Sequence, residues 1–271
     1  MLAPGCSLGQ GQGSVTGTLN VPDCWSGSFD LHPDFFAAVP QSGPNGVRSP
    51  TTGIEIRIQN GGDFESFSDG IIIVVDDAGE VRGDPAADGT PRPSLLGTPL
   101  VVSLAAGVVP PGVPITPVAE PRIVHASLYL NRTCRTQNDA LYALDAVTVN
   151  SDPVHPCDRP DGGEPPLPCG APAAASADGG VVPAWDAAAP TAPAAGNVRQ
   201  STITFAHLFD GNPDESNAGE RLTNVPSFDF YLADPREICP GGLGPPPRCR
   251  GHISGWFNFY FQRGRPAQPF P

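Results

Sequence analysis

Trp256, Asn258 and Tyr260 recur at every second position near the C-terminus. In an extended strand that spacing puts all three on one face. Aromatic rings interleaved with an amide can stack on sugar rings and hydrogen-bond their hydroxyls, so this trio is the candidate ligand-binding face. The competing expectation is that a second sheet or a long insertion simply covers it. A second candidate is Asp210-Gly-Asn-Pro-Asp-Glu-Ser, in which Asp210, Asn212, Asp214 and Ser216 take positions 1, 3, 5 and 7 of a calcium loop. Hard oxygen donors at that spacing suit Ca²⁺. Glu215 stands where such a loop needs Gly, and Arg221 where it needs a bidentate Glu. An acidic turn is therefore the plainer expectation, and no other cofactor is implied.

His155, Cys157 and Cys169 could imitate a zinc site. Oxidised cysteine offers no thiolate to a metal, so a disulfide is the expectation there. The motifs His-Glu-x-x-His, Cys-x-x-Cys and Gly-x-Gly-x-x-Gly are absent, and no catalytic residue is assigned. Dispersed carboxylates can still build a glycosidase-type hydrolase without a local motif. His125 and His207 fall on strand patterns and are expected to be ordinary core or surface histidines.

Composition narrows the classes further. All fifteen basic residues are Arg, and the formal net charge is −13. An acidic chain without a basic stripe is a poor partner for nucleic acid. The absence of Lys removes P-loop phosphate binding, Schiff-base chemistry and Ser-x-x-Lys hydrolysis together. Gly (32) and Pro (35) are abundant enough that much of the chain must be turn and loop. No stretch is apolar enough for long enough to span a bilayer as a helix.

The elements that must position the candidate face are strands. In 251–263, Ile253, Phe257, Phe259 and Phe261 alternate with Ser254, Trp256, Asn258, Tyr260 and Gln262, one dry face against one wet face. Burying each of those Phe rings contributes on the order of 1.5–3 kcal/mol, so the core is expected to form around this strand. Ile54, Ile56 and Ile58 alternate with Glu55, Arg57 and Gln59, as in a sheet with one solvated face. The run 71–75 is continuously β-branched and reads as a central strand, dry on both sides. Further strands are expected over 14–21, 26–36, 100–104, 122–130, 201–209 and 226–232, with 140–150 forming one or two. Residues 15–20 echo 253–258, and Gly17 and Gly255 sit where a strand glycine marks a bulge or close backbone approach. The fold expected is all-β, an antiparallel β-sandwich or partly open β-barrel with long Pro/Gly-rich loops. Residues 1–13 read as a tether. Residues 14–271 read as one β-rich domain, with a Pro/Ala-rich insertion at about 151–197.

Seven cysteines leave one over in a disulfide protein. Met-Leu-Ala-Pro-Gly-Cys6-Ser is similar to the tail of a bacterial lipoprotein signal, where small residues precede a Cys that becomes the lipidated N-terminus. Ser7 follows the outer-membrane sorting pattern. The basic start and apolar run of such a signal would then precede Met1. With Cys6 lipidated, Cys24, Cys134, Cys157, Cys169, Cys239 and Cys249 can form three bridges in an oxidising envelope. Fifteen connectivities are possible. Ordering them by sequence proximity gives Cys239–Cys249, Cys157–Cys169 and Cys24–Cys134.

The chain as a whole, through Val-Thr-Gly-Thr-Leu-Asn-Val-Pro-Asp-Cys, Cys-Arg-Thr-Gln-Asn and the closing Arg-Gly-Arg-Pro-Ala-Gln-Pro-Phe-Pro, resembles uncharacterised envelope lipoproteins of high-GC, myxobacterial-type genomes. That resemblance implies an outer-membrane address, facing periplasm or cell surface, and brings no functional residues with it. The expected function is that of a lipid-anchored envelope protein with a structural or binding role and a glycan or protein partner. A carbohydrate-binding module acting through Trp256, and an envelope hydrolase, are the alternatives.

Overall fold

The computed structural model describes residues 11–22, 24–40, 53–61, 67–103, 123–134, 142–150, 157, 198–209, 222–239 and 246–260. Cys6, Cys169, the quartet Asp210, Asn212, Asp214 and Ser216, Phe261, and the insertion apart from Cys157 lie outside them.

The chain is all-β, with antiparallel pairing between its strands. These are β1 (Gly11–Val21), β2 (Trp25–Leu31), β3 (Phe35–Pro40), β4 (Ile54–Gln59), β5 (Asp69–Val75), β6 (Pro99–Val101), β7 (Val124–Leu130), β8 (Ala143–Ala146), β9 (Val149–Asn150), β10 (Val198–Arg199), β11 (Thr202–Thr204), β12 (Leu222–Ala233) and β13 (Gly251–Tyr260). Eleven of them form one sheet. Its main path runs β2-β1-β13-β12-β8-β7-β5-β4-β3, with β11 and β6 branching from β12. β9 and β10 pair separately.

The sheet turns over on itself without closing into a barrel. Phe36 of β3 stacks on Phe259 of β13 at 5.6 Å, although those strands stand far apart along the path. The four strands β2-β1-β13-β12 thus face the five strands β8-β7-β5-β4-β3, as in a sandwich. Few residues join the halves: Leu232 and Ala233 of β12 pair with Ala146 and Asp145 of β8. One hydrophobic cluster fills the space between, from Val15 and Leu19 through Ile54, Ile56, Ile58, Ile71 and Ile73 to Phe228, Phe230, Phe257 and Phe259.

The period-2 pattern places these side chains. Ile54, Ile56 and Ile58 are fully buried, as the alternation requires. Gln59, expected in water, is buried too, because its amide oxygen accepts the Tyr129 hydroxyl and its nitrogen donates to the Gly61 carbonyl. β5 is central, between β4 and β7, yet only half-buried at Ile72 and Val74, so one of its faces is drier than the other.

Gly17 and Gly255 set how closely β1 and β13 approach. Gly17 lies opposite Ile253 and Gly255 opposite Val15, each glycine facing a large side chain of the other strand. A Cβ on Gly17 would sit 2.0 Å from the His252 carbonyl oxygen, and one on Gly255 2.2 Å from that of Ser14. The echo between the two segments is thus an adjacency, and the glycines mark the close approach expected of them.

The structure departs from the sequence reading at several points. Residues 26–36 are not one strand: β2 ends at Leu31 and β3 begins at Phe35. β1 starts at Gly11, so pairing reaches into the segment read as a tether. A five-residue helix, Ala78–Arg82, stands in a stretch read as loop. Asp77 caps it by accepting the Glu80 N–H, and Gly83 ends it at φ 83°.

Cys24–Cys134 is bonded as proximity ordering predicts, but Cys249 is bonded to Cys157, across 92 residues. The expected Cys157–Cys169 and Cys239–Cys249 bridges are therefore excluded. Cys239 is disulfide-bonded as well. Sequence proximity misleads here because the sheet sets the distances: Cys157 and Cys249 meet in a satellite core with Val147, Val149 and Ala233.

Candidate ligand-binding face

β13 lies between β1 and β12, so its outer side chains stand in the middle of a three-strand surface. Phe257 and Phe259, pointing inward, are at most 1% exposed. Trp256 and Tyr260, pointing outward, are 40% and 46% exposed. The expectation that another layer covers this face is not met among the described residues. Four residues of strand separate the two rings by about 13 Å, with half-buried Asn258 midway.

The cross-strand register adds what sequence alone did not supply. Asn258 pairs with Gln12 of β1 on one side and with Asn224 of β12 on the other. Three carboxamides therefore form a row across the strands, between the Trp256 ring and the Tyr260 ring. Each carboxamide offers donors and an acceptor, which is what a polyhydroxylated ligand requires. Gln12 and Asn224 could have been found only from the β1–β13–β12 adjacency. The echo between residues 15–20 and 253–258 was the one sequence signal for it.

Trp256 stands opposite Ser14 on β1, but on β12 the register shifts between Val225 and Phe228. Pro226 and Ser227, both exposed, there stand against Trp256 alone. Such bulges twist a strand locally and re-aim the side chains beside them. Pro226 also lacks the N–H that regular pairing would use. Further along the same face, the His252 ring stacks on Tyr231 at 4.4 Å, and its Nε2 is held by Asp229. Burial pushes the Tyr231 hydroxyl above the ordinary phenol range, and the Asp229 carboxylate adds to the shift.

Elsewhere the titratable groups are committed to structure. Burial pushes Asp145 up from the ordinary carboxylate value, against the Ser127 hydroxyl that donates to it at 2.6 Å. The neighbouring Asp234 is shifted down by hydrogen bonds from the Arg236 guanidinium, while the Arg236 N–H also donates to it. Opposed shifts in adjacent carboxylates are the hallmark of an acid/base pair, but both groups are occupied by these partners. His125 has Nδ1 2.7 Å from the Ser103 carbonyl oxygen and Nε2 2.8 Å from Asp76, a partnership its sequence context did not reveal. Among the described residues no group of His, Cys, Asp and Glu could hold a metal ion.

No protein-family model, curated protein or solved structure matches the chain. The disulfides are consistent with an extracytoplasmic protein. Among the described residues no helix is long and apolar enough to cross a membrane.

Proposed function

We propose that this chain is a carbohydrate-binding protein of the bacterial cell envelope, acting through the outer face of β13 and held at the outer membrane by a lipid on Cys6. The binding reading is carried by the open pair of rings, Trp256 and Tyr260, with the Gln12–Asn258–Asn224 amide row between them. Aromatic rings receive the apolar faces of sugar rings, and carboxamides receive the hydroxyls at their edges. A neutral glycan suits an acidic protein better than an anionic one, because the net charge of −13 repels the latter.

The test is a glycan array followed by titration of the best neutral oligosaccharide. Trp256→Ala is expected to weaken binding about tenfold, equivalent to ~1.4 kcal/mol. An array with no glycan hits, or Trp256→Ala binding unchanged, rejects the reading. The anchor rests on the Cys6 motif alone. Palmitate labelling of the full-length protein in a bacterial host is expected to vanish in Cys6→Ser, and labelling that persists in the variant discards the anchor.

A further inference from the structure

Because the sheet does not close, a seam remains between its two halves. There β2 lies against the ends of β4 and β5 and the turn after β7. A cleft of about 150 Å³ opens in the seam, beside the Cys24–Cys134 disulfide that ties β2 to that turn. One wall is Trp25, 42% exposed, its indole N–H donating to the Ser28 carbonyl oxygen at 3.2 Å. Trp25 pairs with the buried Val21, so it stands on the core side of β2, where the core opens to solvent.

The far wall is rigid. Asp69, buried in the cleft floor, accepts the main-chain N–H groups of Arg132 and Thr133, both at 3.0 Å, and the Thr133 hydroxyl at 2.6 Å. That carboxylate is committed to the turn, which leaves Asp69 unsuited to pair with Asp30 as a hydrolytic couple. The Arg132 side chain is exposed and meets no carboxylate among the described residues. Exposed Asn60 and Asp30 complete the rim, and Asp30 lies 3.2 Å from His32.

We propose that this seam cleft is a second binding site, sized for one neutral sugar ring. Its volume is well below the roughly 300–1,000 Å³ of sites for drug-sized ligands, so a single ring or a terminal residue fits. An indole wall receives the ring's C–H face. Arg132 donates, and the Asn60 carboxamide both donates and accepts, the pairing that vicinal hydroxyls require. Asp30 and Asp69 both line the cleft beside Arg132, so no net positive charge favours an anion. The site stands or falls independently of the outer face of β13, because Trp25 and Trp256 lie on opposite faces of the sheet.

The test is a titration of the full chain with methyl glycosides of glucose, galactose and mannose, and with glucuronate, following the tryptophan indole N–H signals by NMR. The Trp25 signal is assigned by its loss in Trp25→Phe. A saturable shift of that signal with at least one neutral glycoside is expected, weakened about tenfold in Arg132→Gln and unchanged in Trp256→Ala. Arg132→Gln keeps the main-chain donors to Asp69, so the turn stays folded. The proposal is overturned if no neutral glycoside shifts the Trp25 signal, if glucuronate binds more tightly than every neutral glycoside, or if Arg132→Gln binds as tightly as the parent.

Discussion

Cys24→Ser with Cys134→Ser is expected to lower stability by about 4–5 kcal/mol, in the chain-entropy account of a loop of this length. The bond closes a loop across 110 residues and ties together strands from opposite halves of the sheet. Sheet pairing cannot replace it, because β2 and β7 are not neighbours. Local geometry already favours the bond: the Cys24 N–H donates to the Val21 carbonyl and the Cys134 N–H to that of Leu130. The loss would be a large share of the roughly 5–15 kcal/mol that holds a domain together. Urea denaturation of the double variant, with Cys157–Cys249 intact, gives the value. A loss under about 1 kcal/mol would mean that packing alone holds the halves together, and that the disulfide only decorates the seam.

Phe257→Ala is expected to cost about 3–5 kcal/mol, the range for removing a large ring from a filled core. Phe257 is fully buried, with the Phe228 and Phe259 rings each 6.2 Å away. β1 and β12 flank β13 on both sides, so neighbouring strands cannot easily collapse into the space left behind. Trp256→Ala, one residue earlier on the opposite face, is expected to change stability by no more than about 0.5 kcal/mol. Comparing the two denaturation midpoints tests the sidedness of the strand directly. Equal losses would place both rings in similar surroundings, contrary to the register.

Much of this architecture was legible because alternation is a local signal. Ile54, Ile56 and Ile58 announce their own burial, and Phe228, Phe230 and Leu232 point inward while Asp229 and Tyr231 point outward, as their order implies. The cap of the Ala78–Arg82 helix was also written in the chain, as Asp77 three residues before Glu80, but five residues are too few to show a helical period. What is set by strand order could not be read. Gln12, Asn258 and Asn224 meet only because β1, β13 and β12 are adjacent. Cys157 finds Cys249 rather than a nearer cysteine for the same reason. Gln59 alternates like a surface residue, yet Tyr129, two strands away, satisfies it in the interior. The Trp25 cleft has no motif at all. It exists because a curled sheet stops short of meeting its own edge.

The place of β13 in the sheet also governs when the protein can fold. β1, the first described strand, pairs on one side with β2 and on the other with β13, the last, and Gly11 finds its partner only at Phe259. A hairpin of β1 and β2 made early in synthesis has nothing to lie against until that late segment arrives, and pairings of such long range form slowly. The described strands thus stay pliant through most of synthesis, and set only once β1 and β13 are together.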